Sequence, residues 1–295
     1  MYENNFTRAN PGLIVVLVDQ SGSMSLEWTE GKSLAEQTAM VINRCIAEMG
    51  FRFTSGTTIK ESANIVIIGY GGEQGYEAQL IKSGTIRDFI ENPIRRETIK
   101  KKEYNREMGF YEIDFEIPIN IEPVAGYVTP MGSALTLADS IIQEWVNRSD
   151  NRDKTKDPVP LLINISDGAP TDESGYLMSD FSPIVNIANK IKSISCPDGN
   201  PLIFNIHLSA DCNTEEVQFP ETKDEIPNGD ELSGLLYDMS STLPVTMVDS
   251  AKLCGFPNVK AGVRTFMSNV NKVEQFVQFL NFGTKGTGGN NQVIR

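Results

Sequence analysis

Four short, almost continuously apolar runs constrain the fold of this chain more than any other feature of its sequence. They are LIVVLV at residues 13–18, IVII at 65–68, LLINI at 161–165 and LIFNIHL at 202–208. β-Branched residues are frequent in these runs, and a short run without polar alternation is typical of a strand covered on both faces. Such strands belong to parallel sheets whose two faces are packed by helices.

Helical patterns separate these runs. Between residues 33 and 49 apolar residues recur every three or four positions, and residues 131–146 show the same period. Strands that alternate with amphipathic helices predict an α/β fold with a doubly wound, mostly parallel central sheet and helices on both faces, which is a Rossmann-like arrangement. We expect one domain over residues 1–282, followed by a flexible Gly-rich tail at 283–295.

Two segments depart from this alternation. Residues 86–122 are interpreted as an insertion, in which residues 93–106 carry six basic and two acidic residues and the next stretch alternates like an edge strand or hairpin. We predict a loop and hairpin over residues 93–118 that projects from the sheet edge and helps to select a partner. The alternative is a solvated hairpin whose lysines prevent pairing between sheets. Residues 211–231, with eight acidic residues, are predicted to form a long loop.

The composition argues against several classes of protein. A net charge of −13 disfavours a general nucleic-acid binder, because such proteins usually carry a basic face that neutralises phosphates. No apolar run is long enough for a membrane span or a signal peptide. The four cysteines show no CxxC spacing, so neither a zinc knuckle nor a disulfide framework is predicted. We expect a cytoplasmic protein without a nucleic-acid or membrane partner.

Oxygen-bearing side chains follow the first apolar run and recur at two later points. Asp19 comes directly after LIVVLV, and Ser21 and Ser23 lie at alternate positions beyond it, so an extended turn would direct all three toward one point. Thr129 precedes the second helical pattern, and Asp167 follows LLINIS. In open α/β sheets, ligands bind beyond the carboxyl ends of the strands, where such loops converge. These five side chains are therefore expected to form one site.

The chemistry of this set favours a hard cation. Carboxylates and hydroxyls without an imidazole or thiolate suit Mg²⁺, which takes six oxygen ligands in a near-octahedral array and readily keeps waters. Five protein groups, some acting through water, would leave one position open. Because only two of the groups are charged, the metal would still attract an anionic oxygen from another molecule.

At these residues the sequence resembles the von Willebrand factor A (vWA) family, whose metal-ion-dependent adhesion site (MIDAS) combines a DxSxS motif, a threonine and an aspartate from three loops. Here these are DQSGS from Asp19, TPMGSAL from Thr129 and SDG around Asp167, and the resemblance covers residues 11–282 apart from the insertion. It implies that Ser21, Ser23 and Thr129 ligate Mg²⁺ or Mn²⁺, and that Asp19 and Asp167 do so directly or through water. It also implies that a partner protein completes the coordination with an acidic residue.

Two later stretches, YDMSSTLP and GVRTFMSNVNKVEQFVQFLNFGT, are similar to bacterial cytoplasmic members of this family. Such members tend to accompany Ser/Thr kinases and PP2C-type phosphatases. The resemblance therefore implies a protein partner from a kinase- or phosphatase-linked system. It does not identify the partner, the pathway or the oligomeric state.

Two other interpretations of the DxSxS motif were weighed. The motif alone would fit a capped turn, in which aspartate and serine oxygens accept from backbone N–H groups, but Thr129 and Asp167 complete a larger pattern. A haloacid-dehalogenase-like phosphatase would use Asp19 as its nucleophile, yet Ser21 stands where that chemistry needs a second acid. His207 has no accompanying GxSxG motif and is interpreted as structural. We therefore predict a binding module that is not an enzyme and has no catalytic residues.

Overall fold

The computed structural model describes residues 1–105, 109–150, 152–211 and 213–286. Its strands are β1 (Gly12–Gln20), β2 (Glu27–Thr29), β3 (Lys32–Ser33), β4 (Thr54–Ser55), β5 (Thr58–Ile59), β6 (Ala63–Gly71), β7 (Ala78–Thr85), β8 (Arg95–Asn105), β9 (Gly109–Ile119), β10 (Leu161–Ser166), β11 (Leu202–Leu208), β12 (Val217–Gln218) and β13 (Phe266–Val270). Its α-helices are α1 (Leu34–Arg52), α2 (Ile86–Glu91), α3 (Met131–Asn147), α4 (Ser182–Lys192), α5 (Glu231–Met239), α6 (Val248–Leu253) and α7 (Val273–Gly283).

The central sheet has the strand order β12-β13-β11-β10-β1-β6-β7. The five inner strands are parallel to their neighbours, and the two edge strands are antiparallel. Numbered along the chain without β12, the other strands follow the doubly wound order 3-2-1-4-5-6. The predicted α/β fold is therefore confirmed. The order reverses between β1 and β10, and a crevice at such a switch point is where ligands bind in open α/β sheets.

The apolar runs are continuous because both faces of the sheet are covered. Ile14 and Val16 of β1 belong to a core shared with α1 and α7, whereas Leu13 and Val15 belong to a second core shared with α3, α4 and α5. Full burial of one such side chain contributes about 1.5–3 kcal/mol to folding. The two cores together hold the inner strands, and thus their carboxyl ends, in fixed positions.

The helices that flank the switch point start at defined signals. Ser33 precedes α1, accepts a hydrogen bond from the Glu36 N–H at 3.2 Å, and donates its own backbone N–H to the Glu36 carboxylate at 2.7 Å. This reciprocal capping box satisfies two backbone donors that the helix leaves unpaired. α1 continues to Arg52, three residues beyond the predicted end, and α3 begins directly after Pro130.

The insertion forms an antiparallel hairpin of β8 and β9 that is separate from the central sheet. The predicted loop over the basic residues is wrong, because most of the basic stretch is itself strand β8. Ile117 and Ile119 in β9 pack on Ala47 of α1, which anchors the base of the hairpin. The predicted long loop at residues 211–231 is wrong in part, because its residues 217–218 form β12 and pair with β13.

Acidic residues of β9 neutralise the basic residues of β8. Between Arg95 and Ile119 the sequence contains six basic and six acidic residues. Across the strands, Arg96 pairs with Glu116 at 3.4 Å, and Lys100 pairs with Asp114. The hairpin as a whole therefore carries no net positive charge. This balance favours protection of a sheet edge over electrostatic selection of a partner.

Some predictions fall wholly or partly outside the described residues. These are the side chains of Lys101 and Lys102, Arg106, Cys212 and positions 287–295 of the predicted tail. Within that tail, Gly283 ends α7 and Thr284 is buried. Cys45, Cys196 and Cys254 are free thiols. Across the described part of the chain, no helix is both long and apolar enough to cross a membrane.

Candidate functional site

The five predicted side chains come from three loops at the switch point between β1 and β10. Asp19 lies near the end of β1, and the 3₁₀ turn that follows carries Ser23. Asp167 comes directly after β10, whose parallel register with β1 aligns Val18 with Ile165. Thr129 lies two residues before α3. The strand ends and the start of α3 thus position all three loops.

Hydrogen bonds connect the side chains of Ser21, Ser23 and Asp167, and another joins the Asp19 carboxylate to the Ser21 backbone. The Asp19 Oδ1 atom accepts from the Ser21 N–H at 2.9 Å, and the Ser21 and Ser23 hydroxyl oxygens are 3.1 Å apart. The Ser23 hydroxyl donates to Asp167 Oδ1 at 2.9 Å. A Cβ atom built on Gly168 would lie 3.4 Å from Ser23 Oγ and 3.9 Å from Thr129 Oγ1, so the fifth side chain is adjacent. The structure therefore brings the whole predicted set together.

The spacing of these oxygens fits a small octahedral cation. Adjacent ligands of Mg²⁺ lie about 3 Å apart, because metal–oxygen distances are about 2.0–2.1 Å. The separations of 3.1 Å and 2.9 Å on either side of Ser23 Oγ match this edge length. The capped-turn alternative accounts for only part of the motif. Asp19 does accept from the Ser21 N–H, but the Ser21 side chain makes no capping hydrogen bond to the 3₁₀ turn.

The electrostatics of the site favour a bound cation. Burial raises the pKa of the Asp19 carboxyl, which is 1% exposed. Burial, and then the negative charge of Asp19, raise the pKa of Asp167 to about 7. Within the described part of the chain, neither carboxylate has a lysine or arginine among the groups that shift its pKa. Two buried carboxylates without a cationic side chain are destabilising, and a divalent cation between them would remove that cost.

Ser166 supports the site, although the sequence analysis did not select it. Its hydroxyl donates to the second Asp19 oxygen, Oδ2, at 2.8 Å, and its Oγ accepts from the Gly168 N–H at 3.3 Å. Both carboxylate oxygens of Asp19 therefore accept a hydrogen bond, one from the Ser21 N–H and one from the Ser166 hydroxyl. The parallel alignment of β1 with β10 gives Ser166 this role, and knowledge of the strand order would have identified it.

Backbone contacts tie the three loops to one another. The Gly22 N–H donates to Tyr127 O at 3.0 Å, and the Thr129 N–H donates to Thr171 Oγ1 at 3.1 Å. Gly71, at the end of β6, has a φ of +90°, and a Cβ there would lie 2.7 Å from Val128 O and 2.8 Å from Ser21 N. Only glycine allows this close approach. These contacts hold the three loops against one another at the site.

His207 holds the backbone of the Asp167 loop. Its Nδ1 atom accepts from the Asn269 N–H at 3.3 Å, so the proton lies on Nε2, which donates to Asp167 O at 3.3 Å. Burial lowers the pKa of His207, which keeps the ring neutral. The structural role predicted for this histidine is consistent with these contacts. Its position against a site loop was not predicted, because it depends on the pairing of β11 with β10, which aligns His207 with Ser166.

Substitution His207→Ala is expected to weaken Mn²⁺ binding by about tenfold, because the Asp167 carbonyl and the Asn269 N–H would each lose a partner. His207→Gln is the matched control, since its amide can donate to the same carbonyl. Calorimetric titration with Mn²⁺ measures both variants. Equal affinity in the wild type and in His207→Ala would contradict the positioning role.

No protein-family model matches the chain, and no curated protein does. The vWF domain of the type V pili tip protein Mfa5 from Porphyromonas gingivalis matches 55% of the chain at 15% identity with a TM-score of 0.31, and the match covers 39% of that structure. A structure of three N-terminal domains of Mfa5 gives the same identity and TM-score, with 20% of it covered. PilB, a minor pilin from Streptococcus sanguinis, matches 93% of the chain at 12% identity with a TM-score of 0.44, and 61% of it is covered.

The chain thus spans less than two thirds of the length of each of these structures. Identities and TM-scores this low do not support an argument about function. The functional argument therefore rests on the strand order and on the geometry of the site.

Proposed function

We propose that the chain is a vWA-type module that binds another protein through a divalent metal ion, Mg²⁺ or Mn²⁺. Asp19, Ser21, Ser23, Thr129 and Asp167 would hold the metal. A bound cation would supply positive charge and an open coordination position, to which a carboxylate of the partner would bind. The module would act as an adaptor or scaffold and not as an enzyme.

The observation that carries this proposal is the chain of short hydrogen bonds that runs from Asp19 to the Ser21 backbone N–H, and from the Ser21 hydroxyl through the Ser23 hydroxyl to Asp167, across the β1–β10 switch point. The two ends of this chain are buried or half-buried carboxylates, and the side chains between them carry neutral hydroxyls. Such a set neutralises a divalent cation without saturating its demand for anionic ligands.

The overall charge of the protein explains why a metal would be useful for recognition. At −13, the chain repels acidic partners at long range. A local divalent cation reverses the sign of the potential at one point, so an acidic residue would be attracted there and nowhere nearby. Selection of a carboxylate by an acidic protein would thus depend entirely on the metal.

The phosphatase alternative is disfavoured by the surroundings of Asp19. Both of its oxygens accept hydrogen bonds, from the Ser21 N–H and from the Ser166 hydroxyl, and the side chain is buried. A nucleophile needs an oxygen that faces the substrate, together with an acid that protonates the leaving group. Phosphate release from a generic phosphomonoester in the presence of Mg²⁺ would favour this alternative over the binding module.

Chelation is expected to abolish partner binding. With the immobilised chain as bait in a lysate of its native host, a protein captured in Mg²⁺ should be released by EDTA and recaptured when Mg²⁺ is restored. Asp167→Ala should fail to capture it under either condition. Glu144→Gln, which alters an exposed carboxylate near the end of α3 and away from the site, is the matched control and should behave like the wild type. Capture that is equally strong with the metal stripped would show that the adhesion mechanism is wrong.

The identity of the captured protein tests the finer parts of the proposal. The resemblance to bacterial cytoplasmic vWA proteins favours a partner from a Ser/Thr kinase or PP2C-type phosphatase system, and hence a cytoplasmic location. Fractionation of host cells with an antibody to the chain would test the location independently of the partner.

A further inference from the structure

A cavity of about 410 Å³ opens beside the candidate metal site, at the side formed by Ser23 and Asp167. Ligand cavities in proteins commonly have volumes of about 300–1,000 Å³, so this one is large enough for a bulky side chain. Its other walls come from the turn after β1, the start of α1 and the loop after β11, and they consist of Leu26, Leu34, His207, Leu208, Ser209, Ala210 and Asp211.

The wall of this cavity is largely apolar and is held in place. Leu26 is 54% exposed, yet its N–H donates to Ser23 O at 2.9 Å and its carbonyl accepts from the Leu34 N–H at 3.0 Å. On the opposite side, the Asp211 carboxylate accepts from the Asn213 N–H at 2.9 Å and so fixes the loop that carries Ala210. Two backbone hydrogen bonds thus hold the exposed Leu26 close to Ser23, which is a proposed metal ligand.

The charge and the polarity of the cavity wall determine which chemical groups can bind there. A ligand whose carboxylate bound at the metal would place the rest of that molecule, or the residue next to the acidic one in a peptide, beside Leu26 and Ala210. A second acidic group there would face Asp211 at the rim, and a polar group would lose its water against the leucines without gaining equivalent partners. An apolar group would instead displace water from an apolar wall, which is favourable.

We propose that the ligand of this site is an acidic peptide segment in which an aliphatic or aromatic residue stands next to the metal-binding carboxylate, and that this apolar side chain occupies the cavity. The inference rests on the proposed function, because it assumes that a carboxylate completes the metal site. It adds the requirement for an apolar neighbour, which restricts the acidic segments that the chain recognises.

Binding of simple carboxylates tests the apolar subsite separately from the metal-dependent binding of a carboxylate. Acetate, butanoate and hexanoate share one carboxylate and differ in chain length, and their binding to the Mn²⁺-loaded protein can be followed by the paramagnetic relaxation of their protons. Mg²⁺-loaded protein provides the diamagnetic reference, and Asp167→Ala provides the background from Mn²⁺ bound elsewhere. Burial of each methylene increases affinity by up to about fourfold, so hexanoate should bind at least about tenfold more tightly than acetate.

Leu26→Ser is expected to remove most of this dependence on chain length while leaving acetate and Mn²⁺ binding unchanged. The matched control is Leu80→Ser, because Leu80 is 51% exposed and lies on β7 at the far edge of the sheet. If acetate binds but hexanoate binds no better, or if the gain persists in Leu26→Ser, the apolar subsite is wrong and the metal-dependent mechanism stands. If no carboxylate relaxes near the metal, the proposed function itself fails, and the subsite fails with it.

Discussion

Asp167→Ala is expected to lower the affinity of the chain for Mn²⁺ by at least about 100-fold and to leave the domain folded. Loss of a group that only supports a metal ligand costs about 10- to 100-fold in affinity, and loss of one of two charged ligands should cost more. Asp167 lies at the rim after β10, and the side-chain hydrogen bond lost with it is the one from Ser23. Calorimetric titration measures the affinity, and circular dichroism checks the fold.

Asp19→Ala should abolish metal binding as well, but with a different effect on stability. Asp19 is buried, and its removal leaves the Ser21 N–H and the Ser166 hydroxyl without their acceptor, at a cost of about 1–3 kcal/mol for each unsatisfied group. Removal of a buried negative charge offsets part of that cost. Glu144→Gln again serves as the control for general electrostatics. Wild-type affinity in both the Asp19 and the Asp167 variants would overturn the proposed site.

The fold could be predicted because its strongest signals are local. Four of the five inner strands are short apolar runs, and α1 and α3 carry a stripe of apolar residues at helical spacing, so most of the alternation of elements is visible without any knowledge of contacts. The fifth inner strand, β13, has the sequence FMSNV and shows no such run. The five candidate site residues show a similar local signal, since each lies at or just beyond the end of a strand or just before a helix. The doubly wound topology then places those points at one edge of the sheet.

The parts that were missed depend on partners distant in sequence. The basic stretch was assigned to a loop because lysines and arginines form strands poorly on their own, whereas β8 is stabilised by the acidic residues of β9 opposite it. Strand β12 has two residues, too few for a pattern, and exists through its pairing with β13. Ser166 supports the site through the alignment of β10 with β1, and His207 supports it through the alignment of β11 with β10. The sequence of each segment alone does not reveal these alignments.

The second large effect is expected on the melting temperature of Asp167→Asn relative to the wild type. The sign of this difference should depend on whether metal is present. Asp19 and Asp167 place two negative charges in a buried site, and no lysine or arginine in the described part of the chain is among the groups that shift their pKa values. In EDTA at a pH above about 7, Asp167→Asn should therefore melt at a higher temperature than the wild type, because the neutral amide avoids the cost of a charged carboxylate in this largely buried site beside Asp19.

Excess Mg²⁺ should reverse that order. A ligand present at 100 times its dissociation constant stabilises the folded state by about 2.7 kcal/mol, which raises the melting temperature of a domain of this size by about 4–5 °C. The wild type should gain this increment and Asp167→Asn should gain little, so the two melting curves should exchange places when metal is added. Glu144→Gln should follow the wild type in both conditions. This crossing distinguishes a metal site from a set of turn-forming residues, because a purely structural role for Asp167 would make the variant less stable in EDTA as well as in Mg²⁺.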